Sequence, residues 1–176
     1  MTRRRYLAVT ALAAMSVAVA SAIETPTKLI WNATASAPVG FYTVEPADRI
    51  EVPELVAIMP PEPLAAFMVA RGYVGRGVPL LKRVVGLPGQ RACRAGRTIT
   101  VDGIEMGEAL ERDRIGRELP AWQGCRVIAP GEIFLMNWDV RDSLDGRYFG
   151  PIPASFVIGR AVPLWTDEEG VGRFEW

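Results

Sequence analysis

The chain has 176 residues, 20 basic and 20 acidic side chains, 49% apolar residues and no histidine. That length suits one domain, the balanced charge gives nucleic acid no electrostatic foothold, and the missing imidazole excludes a Ser-His-Asp triad and the common zinc sites. Cys93 and Cys125 are too few for a four-cysteine metal centre, so no metal or other cofactor is expected, and any general base must be a carboxylate, Tyr, Cys, an amine or water.

Arg3, Arg4 and Arg5 precede a run of apolar and small residues from Tyr6 to Ile23. As a helix that run spans roughly 27 Å, close to the ~30 Å core of a bilayer. Arginines before the run and none directly after it place the N-terminus in the cytoplasm and the remainder on the periplasmic side of the inner membrane. A cleavable signal ending at Ala20-Ser21-Ala22 is the rival reading, and a buried core helix the third. The division is then 1–23, anchor or signal segment, and 24–176, exported domain.

Lys28 to Trp31 reads as an extended entry, Asn32 to Gly40 as a polar turn, and Phe41 to Val44 as a strand. Leu55 to Met59 is a second short strand, closed by Pro60 and Pro61. Leu64 to Arg71 has helical spacing, with Gly72 as its stop. Pro79 to Gly86 reads as a buried strand that ends in the turn 87–89. Thr98 to Val101 followed by Asp102-Gly103 predicts a hairpin. Residues 105–122 read as a charged surface excursion. Ile133 to Met136 is a strand, Asn137 to Gly150 a polar loop, and Phe156 to Leu164 a last strand. The expected fold is mainly β, with one short helix beyond the N-terminal segment.

In an oxidising compartment two cysteines pair more often than they stay free. A Cys93–Cys125 bridge would contribute roughly 3.5–4 kcal/mol through loop entropy; two separate buried thiols are the alternative.

Three segments carry candidate chemistry. Ser36 lies among small residues just before Pro38, a turn that can expose a hydroxyl and leave a backbone N–H free for an oxyanion; an ordinary turn former is the plainer reading. Lys82 stands inside Pro-Leu-Leu-Lys-Arg-Val-Val-Gly, in a chain whose other basic residues, Lys28 apart, are all arginine. Strand alternation sends Lys82 and Arg83 to opposite faces, so one of them faces inward. Burial disfavours an ammonium, and a pKa near 8 needs roughly 3.3 kcal/mol of differential solvation. A neutral amine can deprotonate a serine; a snorkelling edge lysine is the alternative, although arginine would serve that purpose equally. The third segment, Asp139 to Pro151, alternates Asp with Arg, which suits a rigid ion-paired loop better than a metal site.

Together these segments resemble the type I signal peptidase family, most closely its conjugative-transfer (TraF-like) branch. The matching strings are Ser36-Ala37-Pro38-Val39-Gly40-Phe41-Tyr42, Leu81-Lys82-Arg83-Val84-Val85-Gly86-Leu87-Pro88-Gly89 and Ser143-Leu144-Asp145-Gly146-Arg147-Tyr148-Phe149-Gly150-Pro151. The resemblance implies an antiparallel β domain on an N-terminal transmembrane helix. It implies Ser36 as nucleophile and Lys82 as general base, with Thr34 and the Ser36 N–H forming the oxyanion hole. Ser143 would hydrogen-bond the lysine, and Asp145 and Arg147 would form a supporting ion pair. The implied substrate is an exported precursor cut after small residues, such as a conjugative pilin, and some TraF-like members also join its ends into a ring. Departures are Ala37 for the usual Met, Gln90 for the usual Asp, and Asn-Trp-Asp-Val-Arg-Asp before Ser143. A non-catalytic envelope component of a conjugation or secretion apparatus is the alternative function.

Overall fold

The computed structural model describes residues 3–22 and 27–176. The first helix, α1, runs Arg3–Ala22, and its apolar residues, Leu7, Val9, Leu12, Met15, Val17 and Val19 among them, are exposed. The expected transmembrane helix is corrected here: among the described residues, no helix is long and apolar enough to cross a membrane. The arginines occupy the first turn, and Ala, Ser and Thr dilute the apolar stretch that follows. Ile23, which completes the expected apolar run, and the 23/24 division lie outside the described residues. The side chains of the Ala20-Ser21-Ala22 cleavage reading are not described either.

The chain beyond α1 forms two antiparallel sheets. The strands are β1 (Leu29–Asn32), β2 (Val39–Glu45), β3 (Leu55–Ile58), β4 (Leu80–Gly86), β5 (Arg91–Ala95), β6 (Thr98–Val101), β7 (Ile104–Glu108), β8 (Gly124–Val127), β9 (Glu132–Leu135), β10 (Ile152–Pro153) and β11 (Val157–Asp167). The larger, seven-stranded sheet has the order β1-β2-β11-β3-β4-β9-β10, and the smaller, four-stranded one β7-β6-β5-β8. Helix α2 (Glu62–Ala70) links β3 to β4, and the one-turn helix α3 (Gly146–Phe149) lies between β9 and β10.

Strand β4 is central, and it feeds three core clusters. Leu81 packs with Ile30, Tyr42 and Ala57; Val84 packs with Val56, Ile133 and Leu135. The pairing of β4 with β9 then shifts between Val84 and Gly86. This irregularity breaks the alternation, so Val85 is buried as well, against Phe134 and Ile99. A strand locked on every side holds the frame of Lys82.

The expected hairpin is present as β6–β7, with Asp102 (φ 49°) and Gly103 (φ 82°) at its turn. Positive φ at both positions is what a tight turn of this hand needs. Strands β5, β7 and β8 are additions to the sequence reading, and β7 takes the start of the expected 105–122 excursion. They lack an apolar alternation: β8 is exposed at every position, and β5 turns Arg94 inward. Helix α3 is a further addition, inside the expected polar loop.

Candidate active site

Ser36 sits, half-buried, in the turn between β1 and β2. Asn32, buried at the end of β1, holds that turn from within. Its Nδ2 donates to the carbonyls of Thr34 (2.9 Å), Ala37 (3.0 Å) and Pro38 (3.0 Å). Its Oδ1 accepts from Thr34 N (3.1 Å) and Thr34 Oγ1 (2.9 Å). Tyr42 Oη adds a bond to the Pro38 carbonyl (2.7 Å). Thr34 Oγ1 lies 3.2 Å from Ser36 Oγ. A threonine hydroxyl has one proton, here given to Asn32, so Ser36 is the donor in that pair. The Ser36 N–H has no hydrogen-bond partner among the described residues.

Lys82 projects from the middle of β4 and is only 5% exposed. Its Nζ donates to Ser143 Oγ at 2.7 Å. Burial pulls its pKa from 10.5 down to about 8; the Asp145 carboxylate opposes the shift, and the Arg147 guanidinium adds to it. Arg83, the next residue, lies over the Trp138 ring with its guanidinium carbon 5.5 Å from the ring centroid. An apolar hollow lined by Leu64, Met68, Leu80, Leu135 and Phe149 borders the lysine.

Asp145 caps α3 and binds Arg147 through Nε (2.9 Å) and Nη2 (2.8 Å). The guanidinium also donates to the carbonyls of Asn137 (2.8 Å), Val140 (2.7 Å) and Arg141 (3.1 Å). At 1% exposure Arg147 is thus the post around which the loop carrying Ser143 is wound. The smaller sheet braces the same loop from outside. Arg94 Nη1 reaches the Arg147 carbonyl (2.6 Å), and Trp122 Nε1 the Gly146 carbonyl (3.0 Å).

Of the residues singled out in the sequence, Lys82, Ser143, Asp145 and Arg147 form one buried group, and Thr34 and Ser36 form a second pair. No hydrogen bond joins Ser36 Oγ to Lys82 Nζ among the described residues. Cys93 and Cys125 stand opposite each other on β5 and β8 and are joined in a disulfide. Asp142 is ion-paired with Arg114 of the surface excursion. Asn32 and Asn137 are structural members of the site that the sequence reading passed over. Both read as turn formers in polar segments, and their bonds go to main-chain atoms, which leave no trace in side-chain pattern.

Asn137 links the two halves. Its Nδ2 donates to the Ser36 carbonyl and to the Leu81 carbonyl (3.2 Å), and its Oδ1 accepts from Arg83 N (3.0 Å). The turn carrying Ser36 therefore abuts the strand carrying Lys82 through one side-chain amide.

A family model described as signal peptidase, peptidase S26, matches residues 2–165. The chain is 38% identical over 146 residues to the conjugal transfer protein TraF of Agrobacterium fabrum, covering 77% of this chain and 81% of that protein. It is 33% identical over 147 residues to a plasmid transfer protein TraF of Escherichia coli, covering 76% and 82%. A signal peptidase I structure from Enterococcus faecalis is 22% identical, covers 64% of this chain and 98% of that one, and superposes with a TM-score of 0.37, too loose a likeness to carry an argument.

Proposed function

Because this chain belongs to the signal peptidase family, peptidase S26, we propose that it is a membrane-associated serine endopeptidase that cuts exported precursor proteins after small residues, with Ser36 as nucleophile and Lys82 as base. The carrying observation is the buried lysine, drawn down to about 8 and held by Ser143, on the strand that abuts the Ser36 turn. At neutral pH part of that amine is unprotonated, and an arginine could not serve in its place.

In the proposed reaction Ser36 Oγ attacks the scissile carbonyl carbon and its proton passes to Lys82. The ammonium then protonates the departing amine, leaving an ester on Ser36, which water hydrolyses. To meet Lys82, the Ser36 hydroxyl turns away from Thr34, a rotation about one side-chain bond. Thr34 could then donate to the oxyanion beside the Ser36 N–H, provided it releases Asn32.

The conjugal and plasmid transfer proteins among the relatives support a substrate from a conjugation apparatus, and a pilin precursor is our choice. An amine in place of water at the ester would close such a product into a ring. Arg3, Arg4 and Arg5 ahead of exposed apolar residues on α1 support membrane association of the N-terminus. The Cys93–Cys125 disulfide supports a periplasmic site for the sheets.

The test is cleavage of a pilin precursor co-expressed with the chain, weighed by mass spectrometry. Ser36→Ala and Lys82→Arg should each abolish cleavage while the protein stays folded. A product lighter by one water identifies ring closure. Cleavage at the parent rate by either variant would overturn the dyad and favour a non-catalytic envelope role.

A further inference from the structure

The peptide ladder between β4 and β9 stops at Leu135 and Met136. Met136 N still bonds the Arg83 carbonyl at 2.9 Å, but the next main-chain groups turn aside. Asn137 N donates to Asp145 Oδ2 (3.1 Å), and its carbonyl accepts from Arg147. The edge of β4 on both sides of Lys82 would be left unpaired there. The Asn137 side chain fills the gap: it donates to the carbonyl of residue 81 and accepts from the N–H of residue 83, as a strand residue would. The side chain is 1% exposed, so water does not compete for these groups.

A side-chain amide has one property that a peptide lacks, a second N–H. In Asn137 that proton goes to the Ser36 carbonyl. We propose that Asn137 is a positioning residue that sets the separation of nucleophile and base: one hydrogen of its Nδ2 completes the strand at Lys82, and the other clamps the turn at Ser36. This rests on the dyad reading above. No other side-chain chemistry of this length does both. An aspartate keeps the acceptor for Arg83 but faces two carbonyls with oxygen, and a glutamine is longer by a methylene. The clamp holds the main chain of Ser36 while leaving its hydroxyl free to swing from Thr34 toward Lys82.

The experiment compares the full chain with Asn137→Asp and Asn137→Ala. It measures melting temperature, kcat and KM on a precursor peptide, and the rate at which a fluorophosphonate labels Ser36. In that labelling Ser36 Oγ displaces fluoride from phosphorus and gives its proton to Lys82, so it reads the dyad without any precursor. Expected for folded variants is a fall in kcat and in labelling rate of about 10–100-fold, the scale of a misplacement near 1 Å, with KM within about threefold. Labelling and kcat within about threefold of the parent in a folded variant would overturn the proposal, as would two variants that both fail to fold, which would make Asn137 a folding residue only. A parent chain that neither cleaves the peptide nor takes the label would overturn the dyad itself, and the clamp with it. A parent that does both, alongside variants that match it, would overturn the clamp alone.

Discussion

Replacing Asp145 by asparagine removes one charge from the most deeply buried ion pair of the chain and leaves the shape intact. Asp145 Oδ1 accepts from Arg147 N (3.2 Å) and Nε (2.9 Å), and Oδ2 accepts from Arg147 Nη2 (2.8 Å) and Asn137 N (3.1 Å). An amide has one oxygen, so whichever way it is turned, two of these donors meet an NH2 group. Arg147 also keeps its charge in a place where its side chain is 1% exposed. Removing one partner of a buried pair costs ~3–5 kcal/mol. The carbonyls of Asn137, Val140 and Arg141 still hold the guanidinium, which puts Asp145→Asn at the lower end, about 3 kcal/mol. For a chain of this size that is a fall of ~6–12 °C in Tm.

The same substitution has an electrostatic signature at the base. The Asp145 carboxylate holds the Lys82 pKa up against burial, whereas Arg147 pushes it down. With the carboxylate neutralised, the ammonium is less favoured and Lys82 titrates below about 8. A rate that depends on the neutral amine then reaches its plateau at lower pH. Thermal unfolding and a rate-against-pH series on the same preparation measure both effects. A Tm change of less than ~2 °C, or an alkaline limb that moves to higher pH, would refute this account of the buried pair.

In the unaltered chain the rate should rise along a limb centred near 8, because deprotonation of Lys82 creates the base. A flat profile from about pH 6 to 10 would show that no group of this kind is needed. Replacing Cys93 and Cys125 together by serine removes a cross-link between residues 32 apart in sequence. Loop entropy sets the loss at roughly 3.5–4 kcal/mol, or ~7–16 °C in Tm, read by calorimetry. The smaller sheet braces the Ser143 loop through Arg94 and Trp122, so activity of the double variant should fall at lower temperatures than in the parent.

The local signals in the chain came through where they were strong. Asp102-Gly103 between alternating residues names its own turn, and Pro60-Pro61 closes β3. A lysine in the middle of an apolar strand is legible because its burial conflicts with its charge, and the fold buries it as that conflict implies. The strands of the smaller sheet were illegible for the opposite reason. Gly124–Val127 is exposed throughout, and the place of β8 is set by pairing with β5 rather than by any face of its own. The expected transmembrane helix shows how far composition carries. A helix forms over Arg3–Ala22, but among the described residues its apolar length falls short of a bilayer crossing.

The sequence by itself determined which groups can do chemistry. With no histidine and one lysine inside an apolar strand, the choice of base followed from residue types alone. What only the tertiary structure decided is how those groups meet. The Ser36 carbonyl and its Asn137 partner are 101 residues apart, and Lys82 and Ser143 are 61 apart. Such bonds depend on the place of main-chain atoms in a packed sheet. No periodicity records that placement, because a buried amide and an exposed turn former are the same letter.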